Sequence, residues 1–475
     1  MLSRAGHAPA KRSRATGVWK PGCGCDLQIK PKQVKVSRIG VKKSFKQNLP
    51  FSVMRTVGQR RWFPAVFFFL AAGAVLLGCA DRRHLNPLDP KNPDTGGKPA
   101  GLEVYSVGHL VYLSWSRIHV DGFQGMRIYR RQTNGGKWEA IAFVQPDTTA
   151  YVDTVAYGIP YGYALQAVTN DYESPLSDEE TILAGPSVVW VTSPGGGMLA
   201  ELSFDAAHRI FLRQDLIYPN GLAPAESGKG VWITDYYTSE LMRVSAAGKI
   251  LRRFLNVFNP LAVDYDTTRH RLWVALHSRN VVMLMDTTGR KLAEAQGFSY
   301  PVRVSVDQQS GVCWVADVRA RRVVRLDAQS LRTQQSVVLF RPEDAAADPA
   351  TGTCWVADSS RVVQIGAGGE IKKKIAPFLY ALRVAVDPAR QNIWVLDYQI
   401  GQNRSVLYRF KPDGSQELAY RDLAGAFSIA VDPYDGSCLV ADTWNYRVLK
   451  IGRSGQVLGQ WRSPSPPKEV RVQPL

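Results

Sequence analysis

Histidine and cysteine are scarce in this 475-residue chain, with seven and six respectively. No two cysteines form a CxxC pair and no Cys/His spacing resembles a zinc site, which removes the usual dithiol and structural-zinc readings. No Ser-His-Asp order, phosphate loop or heptad run is present, so the sequence favours binding over chemistry. Acidic residues are nearly missing from positions 1–78, where fifteen Lys and Arg stand against Asp26 alone. That stretch carries +14 of the formal +18, and 18 − 14 leaves only +4 from Cys79 onward. A basic face for nucleic acid is therefore not indicated. The apolar run from Ala65 to Gly78 is also shorter than the roughly 20 residues that span a bilayer.

What is present begins at Met54 with MRTVGQRRWFPAVFFFLAAGAVLLGC: a basic start, a short apolar stretch and a small residue before cysteine. Leu76-Leu77-Gly78-Cys79 resembles the lipobox of bacterial lipoproteins. The resemblance implies diacylglycerol on the Cys79 thiol, cleavage before it, and a mature chain held on a membrane. Each buried methylene is worth about 0.8 kcal/mol, so several acyl chains anchor durably. The expected location is the bacterial cell envelope, at the outer membrane or periplasmic face. Residues 1–53 have no apolar periodicity, and a start codon chosen too far upstream accounts for them, with Met54 the true start.

Residues 79–100 are rich in Pro, Asn, Asp and Gly and read as a tether. Residues 101–185 then alternate in seven short runs broken by turn residues, the pattern of an antiparallel sandwich. Leu113-Ser114-Trp115, Arg127-Ile128-Tyr129-Arg130 and the stretch from Tyr161 to Ala167 resemble a fibronectin type III domain. The resemblance makes Trp115 a core residue, Tyr161 a corner tyrosine and the module a spacer. Arg127, Arg130 and Arg131 are either a binding face or a solvated edge.

From residue 186 a repeat takes over. Trp190, Trp232, Trp273, Trp314, Trp355, Trp394 and Leu439 are spaced by 42, 41, 41, 41, 39 and 45 residues. Each unit reads as four strands, the signature of a propeller blade. The recurring P-x-x-V-x-V-D, W-V-A-D and R-V segments resemble NHL repeats and the related gluconolactonase-like propellers. The first unit lacks its inner strand, and Val470-Arg471-Val472 at the other end supplies it. The expectation is an all-β chain: a sandwich at 101–185 and a seven-bladed propeller at 186–475, closed by its C-terminal strand. Asp264, Asp307, Asp348, Asp387 and Asp432 after the inner strands, and Asp235, Asp317, Asp358, Asp397 and Asp442 after the second, read as turn acceptors. Cys313, Cys354 and Cys438 recur at one repeat position and read as buried small hydrophobes.

A site is expected where a repeat column breaks its own pattern. Counting back from the inner-strand aspartates brings Asn220, Asn259, Glu343, Arg303, Asp344 and Arg383 to one channel mouth, as a polar ligand site or as ion pairs between blades. Tyr218-Pro219-Asn220-Gly221-Leu222 resembles a gluconolactonase segment whose asparagine helps hold a divalent metal, with Glu343 the plausible co-ligand by column. The leading reading is a membrane-tethered, monomeric, non-enzymatic scaffold binding a protein, peptide or glycan, with no cofactor. The alternative is a metal-dependent hydrolase holding a cation such as Ca2+ at the channel mouth.

Overall fold

The computed structural model describes residues 85–475. Cys79, the signal segment 54–78 and the leader 1–53 lie outside the described residues. Within them the chain is strand and turn, apart from three single-turn helical segments. No described helix is long and apolar enough to cross a membrane.

The first seven strands make two sheets. β1 (Glu103–Val107), β2 (Leu110–Ser114) and β5 (Ala150–Thr154) form one. β3 (Phe123–Gln132), β4 (Glu139–Val144), β6 (Pro160–Thr169) and β7 (Glu180–Leu183) form the other, in the order β4-β3-β6-β7. Alternation along β1 and β2 buries Val104, Val111 and Leu113 against Met126, Ile128, Tyr163 and Leu165 of the facing sheet. Trp115 and Tyr161 belong to this core. Tyr163 satisfies its buried hydroxyl by donating to Asp153 Oδ2 at 2.7 Å. The proline-rich segment ahead of β1 is more than a spacer: Leu88 is wholly buried in the sandwich core, and Tyr172 donates its hydroxyl to the Leu88 carbonyl. One apolar side chain among polar turn residues is enough to dock it. Arg127, Arg130 and Arg131 are each paired, with Glu173, Asp153 and Glu179.

Seven four-stranded antiparallel sheets follow. The first joins β8 (Ser187–Ser193), β9 (Met198–Leu202) and β10 (Arg209–Arg213) to the last strand of the chain, Glu469–Pro474. Val470, Arg471 and Val472 pair there with Val191, Trp190 and Val189. The other six sheets span 219–254, 260–295, 301–338, 342–375, 381–423 and 428–462. Their first strands touch in sequence, and Glu469–Pro474 touches both the last, Ser428–Val431, and the first, Pro219–Pro224. The inner strands thus make a closed cycle of contacts, a propeller-like arrangement that leaves no inner edge open.

Burial follows position in each sheet. Five of the seven second strands, such as Cys313–Asp317, are buried at every residue because both faces pack against a neighbouring sheet. Trp190, Trp273, Trp314 and Trp394 are among the largest fully buried side chains. Cys313, Cys354 and Cys438 are free and buried, and burial pushes each thiol well above its usual value. The outermost strands are exposed, and Ile371–Ile375 presents three consecutive lysines. Such charge keeps an edge strand from pairing with another chain.

The sandwich sits on one face of this arrangement. Ser106 N donates to Ser203 Oγ and Leu183 N to Asp205 Oδ2, and Tyr157 meets Tyr434 edge-on at 6.1 Å. Residues 203–208 join the third and outer strands, and 432–437 join an inner strand to its second strand. Both turns lie where the inner strands end. The face where the inner strands begin is therefore the one turned away from the sandwich.

Candidate functional site

Four inner strands start opposite the last residue of their second strand, Pro219 facing Asp235, Pro260 Leu276, Pro301 Asp317 and Pro342 Asp358, and in a fifth Ala381 faces Asp397, two residues before that strand ends at Gln399. The register slips immediately afterwards in all five. A bulge at that point bends the strand and re-aims the residues behind it. They are Asn220, Leu261, Val302, Glu343 and Leu382, then Gly221, Ala262, Arg303, Asp344 and Arg383.

This register corrects two expectations. Asn259 precedes Pro260 and adopts a left-handed backbone, φ 43°. Its amide donates to the Tyr236 carbonyl at 3.1 Å and its oxygen accepts from Ser278 Oγ at 3.0 Å, so it shapes a turn. Leu261 occupies its expected column. Asp264, in turn, lies within the strand, paired with Trp273, and the turn aspartate of this unit is Asp266. Counting from Asp264 displaced the column by two residues.

At the second position the channel is filled by charge. Arg303 donates two hydrogen bonds of 2.9 Å to the two carboxylate oxygens of Glu469, and its Nε lies 3.3 Å from Asp344. The strands carrying Arg303 and Glu469 are three steps apart around the cycle, so this bidentate pair crosses the middle of the ring. Arg471 adds a contact to Glu469 at 2.6 Å. Burial opposes ionisation of Glu469, but Arg303 and Arg471 outweigh it and hold the carboxyl at about 2. Arg383 is pulled down to about 10 by burial and by the like charge of Arg303.

Other inner side chains tie four of the strands to the next. Asp344 Oδ2 accepts from Val384 N, Ser428 Oγ from Val470 N, Asp264 Oδ2 from Val306 N, and Ser305 Oγ from Ala347 N, at 2.8–3.3 Å. Arg303, Asp344 and Arg383 are thus brought together, as a network that closes the channel.

The metal-ligand set is not assembled. Asn220 donates its amide to the Leu261 carbonyl at 2.7 Å, and its Oδ1 is buried without a partner. Glu343 is held by Arg341 Nε and the Tyr380 hydroxyl. Its strand is three steps from that of Asn220. Among the described residues no group of three or more His, Cys, Asp or Glu side chains is placed to hold a metal. A hard cation needs several such oxygens, so these residues do not fit one.

A different constellation surrounds the mouth. The linkers ahead of four inner strands are gripped by an aspartate at or near the end of the second strand. Asp235 accepts from Ile217 N and Tyr218 N, Asp317 from Ser299 N and Tyr300 N, Asp397 from Leu379 N and Tyr380 N, and Asp358 from Arg341 N, at 2.5–3.3 Å. The turn-acceptor role expected of these aspartates holds, and it has a consequence. They fix a rim of aromatic and basic side chains.

Tyr218 packs on Tyr237 at 4.5 Å between ring centroids, Tyr237 on Tyr236 at 5.3 Å, Tyr236 on His277 at 5.2 Å and His277 on Tyr300 at 4.8 Å. The Tyr236 hydroxyl lies 3.2 Å from His277 Nε2. Five cations lie over rim rings: Lys468 on Tyr218, Arg279 on Phe258, Arg319 on Tyr300, Arg321 on Phe340 and Arg341 on Tyr380, at 4.5–5.9 Å. The rim was legible only as a column of residues just before Pro219, Pro260, Pro301 and Pro342: Tyr, Asn, Tyr and Arg.

No protein family matches the chain by sequence, and no curated protein does so either. Solved structures do match in shape. One is a functionally unknown protein from Desulfotomaculum acetoxidans DSM 771, with TM-score 0.53 and 12% identity, over 61% of this chain and 99% of that one. Another is Kuenenia stuttgartiensis hydrazine synthase, with TM-score 0.44 and 13% identity, over 49% of this chain and 76% of that one. At such identity the first likeness concerns fold alone and agrees with a propeller-like β protein.

Proposed function

We propose that this chain is a lipid-anchored, non-enzymatic binding protein of the bacterial cell envelope. Cys79 carries the lipid. Residues 101–185 are a fibronectin type III-like spacer, and 186–475 are a seven-bladed NHL-type propeller closed by its C-terminal strand. The ligand site is the rim on the face away from the sandwich. One observation carries this reading: the Arg303–Glu469 pair fills the channel, while aromatic and guanidinium groups collect around its mouth. Chemistry in a propeller channel needs an open, polar cavity with convergent groups, and here those groups are spent on one another.

The test uses the full chain in a Gram-negative host. The wild type takes up radiolabelled palmitate and fractionates with membranes, and Cys79→Ala does neither. The purified protein hydrolyses no lactone, with or without added Ca2+. Lactone turnover lost in Asn220→Ala and Glu343→Gln overturns the reading.

A further inference from the structure

We infer that the rim recognises a protein segment in which acidic side chains are interspersed with apolar ones. This rests on the binding reading above and names the partner's chemistry. Arg279, Arg319 and Arg321 are exposed, and each guanidinium is laid over an aromatic ring of an adjacent linker. None of the three has a carboxylate within salt-bridge distance among the described residues. Other arginines of the chain, such as Arg213, Arg253 and Arg447, do have one. A guanidinium stacked on a ring has its direction fixed in advance and keeps N–H groups at its edge for a carboxylate. The charge excess at this rim therefore awaits an anionic partner.

The apolar groups beside these arginines choose among anionic partners. Ile217, Phe258, Phe340 and Leu379 are 47–61% exposed on the same face. Each stands two residues ahead of an inner strand's first residue, so they recur around the mouth rather than scatter. Branched aliphatic chains give a sugar ring or a base no flat surface to stack on. They do pack against the side chains of another protein, and the mix of aromatic, aliphatic and arginine residues is that of a protein interface. With the channel filled behind it, the rim is a broad surface suited to an extended segment. It also faces away from the sandwich.

The experiment pans a random-peptide display library against the full chain in detergent micelles, beside Arg279→Glu/Arg319→Glu and the sandwich-surface control Lys137→Glu. All three substitutions are at exposed positions outside the cores. Selected peptides are expected to be enriched in Asp or Glu alternating with Leu, Ile or Phe. They should bind more weakly as salt rises, lose about tenfold in affinity or more in the double charge reversal, and be unaffected by Lys137→Glu. Hydrogen exchange should slow at 277–281 and 319–322 on binding. Neutral or basic selected peptides overturn the inference. So does selection that survives the double reversal, or retention of polygalacturonate with no peptide selected. A chain that takes up palmitate and leaves lactones intact, yet selects no acidic peptide, keeps the proposed function and loses only this partner.

Discussion

Arg303 and Glu469 hold each other through two 2.9 Å hydrogen bonds across the ring, and both are more than nine-tenths buried. Removing one partner leaves the other charged and dry. Arg303→Met is expected to destabilise the chain by about 3–5 kcal/mol in urea denaturation, while Arg303→Met/Glu469→Leu recovers most of that loss. The pair also sets an acid limit. Glu469 is held at about 2 against an ordinary 4.5, so its contribution is complete above 4.5 and disappears as pH falls through about 2. That contribution is on the order of 3 kcal/mol. An acid titration of stability that is unchanged in Glu469→Gln would show the carboxylate to be unimportant.

Glu201 bears the opposite sign. It lies in β9 opposite Trp190 and Phe211, 3% exposed, and burial alone raises its carboxyl to about 8. Equivalent positions in other sheets carry Arg243, Arg325 and Arg409, each over the tryptophan paired with it. The folded chain binds a proton here that the unfolded chain has released. Stability from this group is therefore present below 4.5 and lost as pH rises through about 8, a change on the order of 3 kcal/mol by neutral pH. Glu201→Gln should raise the thermal midpoint at mildly alkaline pH and leave it nearly unchanged at pH 4. Equal shifts at both pH values would dismiss titration as the cause.

The periodic core was readable because it repeats: a buried tryptophan or leucine every forty-odd residues demands the same sheet each time, and Val470-Arg471-Val472 could be matched to the unit that lacked an inner strand. The channel was read less well. A slip of two residues between Asp264 and Asp266 changes no hydrophobic pattern, since a strand alternates with period two, so Asn259 took the column of Leu261. Nothing in a one-dimensional count shows that Glu469 meets Arg303 across the ring. The rim escaped notice because Tyr218, Tyr300 and Tyr380 sit in linkers, outside the strands whose alternation guided the reading. Their holders, Asp235, Asp317 and Asp397, were identified as turn acceptors without what they hold.

Lys450 joins the last sheet to the Phe204 turn of the first sheet. It is completely buried, donates to the Phe204 carbonyl at 2.9 Å and to Asp432 at 3.0 Å, and lies 3.1 Å from the centre of the Phe204 ring. Ser187 donates to the same Asp432 oxygen. Lys450→Met strands that carboxylate and is expected to cost about 3–5 kcal/mol. Because Phe204 also packs beneath Gly185, ahead of β8, proteolysis should accelerate at 184–187 in the variant. Unchanged cleavage there would separate the ion pair from the docking of the sandwich.

The rim depends on aspartates buried beneath it. Asp317 is wholly buried and accepts hydrogen bonds from the backbone N–H groups of Ser299 and Tyr300. Tyr300 in turn lies between His277 and Arg319. Asp317→Ala leaves those N–H groups without their acceptor, at a cost of about 1–3 kcal/mol, and frees the linker to move. Amide exchange at Ser299 and Tyr300 should rise well above that of the Pro301–Val306 strand beside it. Tyr300→Ala keeps the aspartate's hydrogen bonds and removes only the ring, so its exchange should stay slow while the rim loses the platform under Arg319. If both variants exchanged alike, the ring rather than the carboxylate would be holding the linker, and the rim would be assembled by its own stacking.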